Sequence, residues 1–400
     1  MVALPASLPR ERVALGTFLF AAAMIWAGAL IALRRPDQIM NPEVWNEDGI
    51  FVIPQIIQGG FFSIFEPVNG YLIIPSRMIT WLSLQGPLEY YPTISTALGV
   101  FAQAACVAAV AVAPTMLRWP ALCAALMVFL PMDPEVYVLP QYTFWWTTTL
   151  LFLALIWTPA AAPIWRNVFI VIGGFSSPMA IVLLPLFGLR LAYTRAREDA
   201  IALAVVAAVS IVQLYFILLG DPAQTESFAL ADVLPTISVF FAGWTAFAAH
   251  PHALWLGLGV CVVLASGLAV LPREDQFYYL LTGLMVWAAI ASAVLRAPIE
   301  IMSPVGNGPR YFFLPLVLMA WMLVWLLASR KAIAMTASAA VLLTAVPVTW
   351  THYQRGQEGL QPWVEAVQAC RQGGHEMPVH HNGQSVHQHL VPYDQSWCGR

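Results

Sequence analysis

The chain has 400 residues, of which 60% are hydrophobic and only 10% are charged, and its formal net charge is −3. Soluble domains carry about 25% charged residues, so this composition excludes a soluble globular domain. We predict an all-α polytopic membrane protein.

Apolar stretches recur along most of the chain. A helix needs roughly 20 residues to cross the hydrocarbon of a bilayer, and backbone groups within lipid must be paired inside helices or closed barrels. No alternating strand pattern competes with the helical interpretation. The sequence therefore predicts eleven transmembrane helices, at about residues 13–33, 93–114, 119–132, 143–158, 164–176, 178–193, 200–219, 253–271, 277–295, 311–328 and 332–350.

The basic residues of the short loops fall on one side of the membrane if residues 34–92 form a single external excursion. Short cytoplasmic loops are enriched in Lys and Arg, so we predict a cytoplasmic N-terminus and an external tail, residues 351–400. The first span is longer than the apolar core of a signal peptide, about 7 to 15 residues, and we expect it to be retained. The orientation depends on Arg10, Arg12, Arg118, Arg166, Arg190, Arg195, Arg197, Arg273, Arg330 and Lys331.

An acidic run, Trp45-Asn-Glu-Asp-Gly49, follows the first span directly. Two adjacent carboxylates, Glu47 and Asp48, therefore lie just outside the membrane in a chain with few charges. This placement favours a catalytic or ligand-binding role. The structural alternative is that Asp48 caps a helix that starts near Ile50.

The rest of the first external loop is apolar in patches but is interrupted by proline and glycine. This pattern predicts short amphipathic helices at the membrane surface, over residues 50–65 and 71–84. Trp81 is their expected interfacial anchor. In the alternative interpretation, residues 71–84 form a short span, which would invert the following loops and place Arg118 outside.

Three further short motifs fall on the predicted external side. One contains Asp133 and Glu135, which need a turn at Pro134 to converge, although Asp133 could simply open that turn. Another places Arg310 and Tyr311 at the external mouth of a long helix. The motifs are Pro131-Met-Asp-Pro-Glu-Val136, Gly174-Phe-Ser-Ser-Pro-Met-Ala180 and Asn307-Gly-Pro-Arg-Tyr-Phe312.

Together these features resemble the GT-C membrane glycosyltransferases, which include the protein mannosyltransferases and the aminoarabinose transferase of lipid A. The resemblance covers most of residues 1–350. It rests on the acidic pair after the first helix, the three motifs above and the stretch Asn69-Gly-Tyr-Leu-Ile-Ile-Pro-Ser-Arg77. It implies transfer of a sugar from a polyprenyl-phosphate donor to a glycan, lipid or protein acceptor at the outer face of the membrane.

The resemblance implies roles for these side chains. Asp48 is the first choice for the base that deprotonates the acceptor hydroxyl, and Glu47 is the alternative. Arg310 with Tyr311, or Arg77, would bind the donor phosphate. The alternative for both arginines is that they anchor helices at the membrane boundary.

The resemblance also implies roles for the remaining candidate residues. Asp133 and Glu135 would bind the acceptor or a metal ion, and Trp45, Gln141 and Trp145 would line the pocket. An ordinary aromatic belt is the alternative for the last two. The resemblance leaves cofactor use open, since some members need a divalent cation such as Mg²⁺ or Mn²⁺ and others need none.

The tail, residues 351–400, is polar and lacks an apolar run for a core of its own. We expect a small cap over the site rather than an independent domain. Cys370 and Cys398 are the only cysteines outside the predicted spans, and an oxidising periplasm favours a disulfide between them.

These features predict a glycosyltransferase with its active site facing the periplasm. The abundance of Ala and Arg indicates a GC-rich bacterial genome and therefore an inner membrane. The short cytoplasmic loops carry no nucleotide-binding motif, so neither a nucleotide sugar nor nucleic acid is an expected ligand. Two alternatives stay open, which are a lipid or small-molecule transporter and an O-antigen polymerase or ligase.

Overall fold

The computed structural model describes residues 10–220, 229–245, 252–306, 308–355, 362–374, 376–380 and 388–399. Within these ranges nearly all regular structure is helical, and a single two-stranded sheet lies near the C-terminus. Eight helical stretches are long and apolar enough to cross a membrane, judged by length and composition. The predicted class, a helical polytopic membrane protein, is confirmed in outline.

All but one of these eight stretches coincide with a predicted span. The exception, Asp48–Phe65, lies in the first loop and changes helix type twice, from a π turn to an α-helix to a 3₁₀ turn. The first of the others, Leu15–Arg34, lies within α1 (Arg10–Arg34). The remaining six contain α5 (Tyr91–Val112), α10 (Arg197–Leu219), α12 (Ala253–Val270), α13 (Arg273–Val294), α14 (Phe313–Leu327) and α15 (Ala332–Thr351).

Four further predicted spans form shorter helices of 9 to 16 residues. A straight crossing takes roughly 20 residues, so the total of eleven spans and the orientation of the chain stay predictions. The four helices are α6 (Pro120–Val128), α7 (Thr143–Leu155), α8 (Pro163–Gly174) and α9 (Met179–Thr194).

Between α10 and α12 the structure contains a helix that the sequence prediction missed, α11 (Val233–Ala242). It packs closely on α12 because Gly257 has no side chain, and a Cβ there would lie 2.6 Å from the carbonyl oxygen of Ile237. The helix has only 10 residues and contains Pro235, so it is too short and too interrupted to meet the criterion for a span.

The first loop contains helical segments at both predicted positions. The π turn (Asp48–Val52), α3 (Ile53–Gly59) and the 3₁₀ turn (Gly60–Phe65) are followed by α4 (Ile74–Ser83); the short helix α2 (Pro36–Met40) precedes them. Their location at the membrane surface stays a prediction.

Buried Arg77 joins these segments. Its Nε donates to the carbonyl of Ser63 at 2.7 Å, and its Nη1 donates to Oε1 of Gln55 at 2.8 Å. A buried guanidinium needs such partners to offset its lost hydration. Arg77 therefore holds α4 against the turns that precede it.

The tail is folded and rests on the first loop. It contains α16 (Trp363–Arg371), the antiparallel strands β1 (Glu376–His380) and β2 (Gln388–Pro392), and α17 (Gln395–Cys398). Cys370 and Cys398 form the predicted disulfide, with their Cα atoms 5.9 Å apart. The apolar cluster shared by tail and loop contains Val44, Ile53, Ile57, Leu88, Tyr91, Trp363, Val367, Met377, Val379, Val391 and Tyr393.

Candidate functional site

A polar cavity of about 690 Å³ lies where the first loop meets the start of α7, the start of α9, the end of α13 and the turn before α14. Residues from four of the five sequence motifs line it, although these motifs are far apart in the chain. Among its lining residues are Glu47, Tyr71, Gln141, Trp145, Ser177, Arg296, Arg310 and Tyr311.

A tight turn presents Tyr71 to this cavity. Asn69 and Gly70 both have positive φ, at 52° and 83°, and the turn closes with hydrogen bonds between Val68 and Tyr71 in both directions. An Asn-Gly pair suits a two-residue turn of this kind because both residues tolerate the left-handed conformation.

The segment after this turn is tied to the α8–α9 connection. The Ile74 amide donates to the Phe175 carbonyl at 2.9 Å. The Gln213 side chain on α10 accepts from the Leu72 amide at 3.0 Å and donates to the Gly174 carbonyl at 2.9 Å. These contacts bring the motifs at residues 69–77 and 174–180 to one wall of the cavity.

Arg310 is held by Glu135, which is fully buried behind it. Nη1 of Arg310 donates to Oε1 of Glu135 at 2.7 Å, and the Tyr142 hydroxyl donates to the same oxygen at 3.0 Å. The Arg310 side chain keeps 30% of its surface exposed. Its charge is thus largely neutralised from one side, while the guanidinium still borders the cavity.

A second guanidinium, that of Arg296, lines the same cavity just beyond the end of α13. Its Cζ atom lies 5.2 Å from the centre of the Tyr71 ring, which is a cation–π contact. Within the described ranges, Arg296 has no carboxylate within salt-bridge distance. It is therefore available to an anionic ligand.

Glu47 is the only acidic side chain among the described residues that line the cavity. Burial raises the pKa of its carboxyl group, and nearby Arg310 acts in the opposite direction. A raised pKa makes a carboxylate a stronger base, which is the property a general base needs.

Three buried polar atoms of lining residues form no hydrogen bond within the described part of the chain. They are Oε2 of Glu47, Oε1 of Gln141 and Nε1 of Trp145. Unpaired buried polar atoms also occur elsewhere in the described chain, but these three lie beside a cavity and are free to pair with the hydroxyl groups of a ligand. The rings of Trp145 and Tyr311, with centroids 6.3 Å apart, add an aromatic surface.

Several predicted site residues lie outside this cavity. Asp48 is 1% exposed and interacts electrostatically with Arg77. The guanidinium of Arg77 is engaged by Ser63 and Gln55.

The other outlying residues support the wall or lie further away. Trp45 packs edge-on against Tyr142, with ring centroids 5.3 Å apart. Glu135 holds Arg310, whereas Asp133 pairs with Arg355 at 3.3 Å. Asn307, in the last motif, lies outside the described residues.

The use of a divalent cation, which the resemblance left open, stays a prediction. In the described ranges no three His, Cys, Asp or Glu side chains converge as metal ligands. Mg²⁺ is commonly held by one or two carboxylates together with substrate phosphates and water, and Glu47 is the single carboxylate on the described cavity wall. We derive no step through a metal ion.

Sequence analysis missed Arg296 and did not single out Tyr71. Arg296 carries a usable signal, because it follows a predicted span on the predicted external side, where arginine is uncommon. Tyr71 carries none beyond its place in a motif, since only the Asn69-Gly70 turn directs it inward.

A second cavity, of about 650 Å³, lies between α6 and α15. Its described lining residues include no charged side chain and are mostly apolar. Its polar described side chains are Trp244, Thr349, Trp350, Thr351, Tyr353 and Gln354, so it lacks the carboxylate and guanidinium groups of the first cavity.

Comparison of the chain with protein-family models, with curated proteins and with solved structures gave no match.

Proposed function

We propose that this chain is a membrane glycosyltransferase that moves a sugar from a polyprenyl-phosphate donor to an acceptor hydroxyl. The observation that carries the proposal is the polar cavity, which combines one carboxylate, two guanidinium groups, aromatic rings and unpaired polar atoms. These groups match the phosphate and the hydroxyl groups of an activated sugar phosphate. By this proposal the protein resides in a bacterial inner membrane and its cavity faces the periplasm.

The two arginines would have different roles toward the donor phosphate. Arg296, which lacks an ion-pair partner in the described ranges, would take the phosphate directly with its planar fork of donors. Arg310, already held by Glu135 at 2.7 Å, would stabilise the charge that develops on the phosphate as it leaves. Tyr311, whose ring lies 5.0 Å from the Arg310 guanidinium, would support that group.

Glu47 would act as the base, the alternative that the sequence left open beside Asp48. Its carboxylate accepts the proton of the acceptor hydroxyl as the oxygen attacks the anomeric carbon. The bond between that carbon and the phosphate oxygen breaks in the same step, and the lipid phosphate leaves with the electron pair. A single displacement of this kind inverts the anomeric configuration.

The sugar itself would lie between the polar and aromatic walls. Oε1 of Gln141 can accept from a sugar hydroxyl, and Nε1 of Trp145 can donate to one. The rings of Trp145 and Tyr311 offer apolar faces for the C–H groups of the sugar.

The test is sugar transfer by the purified protein in detergent, with synthetic polyprenyl-phosphate sugars and cell-envelope acceptors. We expect turnover with a lipid-phosphate donor and none with a nucleotide sugar. Movement of a lipid across liposome membranes without turnover of any donor would instead support a transporter. Extension of a lipid-diphosphate-linked glycan would support a polymerase or ligase.

The pH dependence of transfer should report the base. Because burial raises the pKa of Glu47, transfer should increase with pH until this carboxyl group is ionised. The acidic limb of the kcat/KM profile should therefore lie above the ordinary glutamate value of about 4.3. A limb at or below that value would argue against Glu47 as the base.

A further inference from the structure

The tail touches the acidic loop at Gly49, two residues after Glu47. Gly49 has no positive φ, so its backbone does not require glycine. The close contact with the tail requires glycine, because a Cβ on Gly49 would overlap Cγ1 of Val379 on β1 and would lie 3.2 Å from Cγ1 of Val44. Val379 is fully buried and its β-branched side chain has few rotamers, so it cannot easily move aside.

A hydrogen bond from the tail holds the same glycine. The buried Tyr393 hydroxyl donates to the Gly49 carbonyl at 2.9 Å, and the Gly49 amide donates to the Trp45 carbonyl at 2.9 Å. The π turn begins one residue earlier, at Asp48. π-helical turns are rare in proteins, and those that occur often lie at functional sites.

The tail is in turn fastened to the first loop and to itself. Nε1 of Trp363 donates to the Leu88 carbonyl at 2.8 Å, and Arg371 forms an ion pair with Glu89. The disulfide between Cys370 and Cys398 joins α16 to α17. Tail and first loop therefore share one apolar core.

We propose that Val379 and Tyr393 are positioning residues for transfer, because they clamp Gly49 and thereby keep the Glu47 carboxylate in the cavity. This inference rests on the proposed function. Neither residue is among the described residues that line the cavity. The disulfide between Cys370 and Cys398 closes the loop that contains both strands, so we expect its reduction to loosen the clamp.

The experiment compares four full-length variants with the wild type: Gly49→Ala, Val379→Ala, the double variant, and Gly259→Ala as a matched control. A Cβ on Gly259 would meet nothing within 4 Å. Hydrogen–deuterium exchange of residues 44–53 reports the clamp without any substrate, and kcat and donor KM report its effect on transfer.

We expect Gly49→Ala to raise exchange in residues 44–53 by about tenfold or more through local opening. It should also lower kcat by about 100-fold, the cost of a displacement near 1 Å, with donor KM little changed. In the double variant, exchange and kcat should both return most of the way to the wild-type values, because removing the Val379 methyl groups makes room for the new Cβ. Reduction of the disulfide in the wild type should raise exchange as Gly49→Ala does, and Gly259→Ala should change nothing.

Unchanged exchange in Gly49→Ala would overturn the clamp. Raised exchange with unchanged kcat would overturn the positioning role. A wild type that transfers no sugar would contradict the proposed function, and the exchange data would still decide whether the tail clamps the loop.

Discussion

Replacement of Glu47 by glutamine is expected to lower kcat for sugar transfer by about 10²- to 10⁴-fold, the usual contribution of a general base. The amide preserves the shape of the side chain but cannot accept the proton of the acceptor hydroxyl. Donor KM should change little because Arg296 and Arg310 are intact. The measurement is steady-state transfer by the purified variant, with its melting temperature recorded to exclude unfolding.

The neighbouring carboxylate provides the matched control. Asp48 is 1% exposed and does not line the cavity, so Asp48→Asn should keep kcat close to that of the wild type. Loss of transfer in Asp48→Asn together with normal transfer in Glu47→Gln would reverse the assignment and make Asp48 the base.

Removal of the Arg296 side chain, as in Arg296→Ala, should raise the donor KM by about 10- to 150-fold. A hydrogen bond to a charged group contributes about 1.5 to 3 kcal/mol, and each 1.4 kcal/mol is about a factor of ten in affinity. Thermal stability should be nearly unchanged, because no carboxylate of the described residues depends on this guanidinium. The donor KM of Arg296→Lys should fall between those of the wild type and Arg296→Ala, since lysine keeps the charge but loses the bidentate fork.

Arg310→Ala is the comparison, because it should change stability as well as transfer. Glu135 is fully buried and would keep only the Tyr142 hydroxyl as a hydrogen-bond donor from its present side-chain partners. The lost partner should cost about 1 to 3 kcal/mol of unfolding free energy. The measurements are donor KM and melting temperature for both variants. An unchanged KM in Arg296→Ala would place the phosphate elsewhere in the cavity.

The positions of the motifs could be predicted from the sequence because they depend on hydropathy and on breaks in it. Glu47, Gln141, Trp145, Arg310 and Tyr311 were all candidates, and the structure brings them to one cavity. Short polar runs between apolar helices lie at the ends of a helical bundle. Runs on the same side of the bundle therefore lie near one another.

The direction of each side chain could not be predicted in this way. Asp48 and Glu47 are neighbours in sequence, yet only Glu47 lines the cavity, because the backbone is helical at both residues and successive side chains of a helix point in different directions. Arg77 was a candidate for the donor, but the carbonyl and amide oxygens around it engage its guanidinium. Such choices depend on partners many residues away.

By itself the sequence determined the helical membrane class and the segments that hold the candidate site, and it made a disulfide between Cys370 and Cys398 the expected pairing. Composition, hydropathy and cysteine count are enough for these because they reflect what a bilayer and an oxidising compartment require of any chain. Only the tertiary structure decided that Glu47 faces the cavity, that Arg296 joins it and that the tail packs on Gly49. Those features depend on contacts between distant segments, whose geometry follows from close packing and not from local pattern.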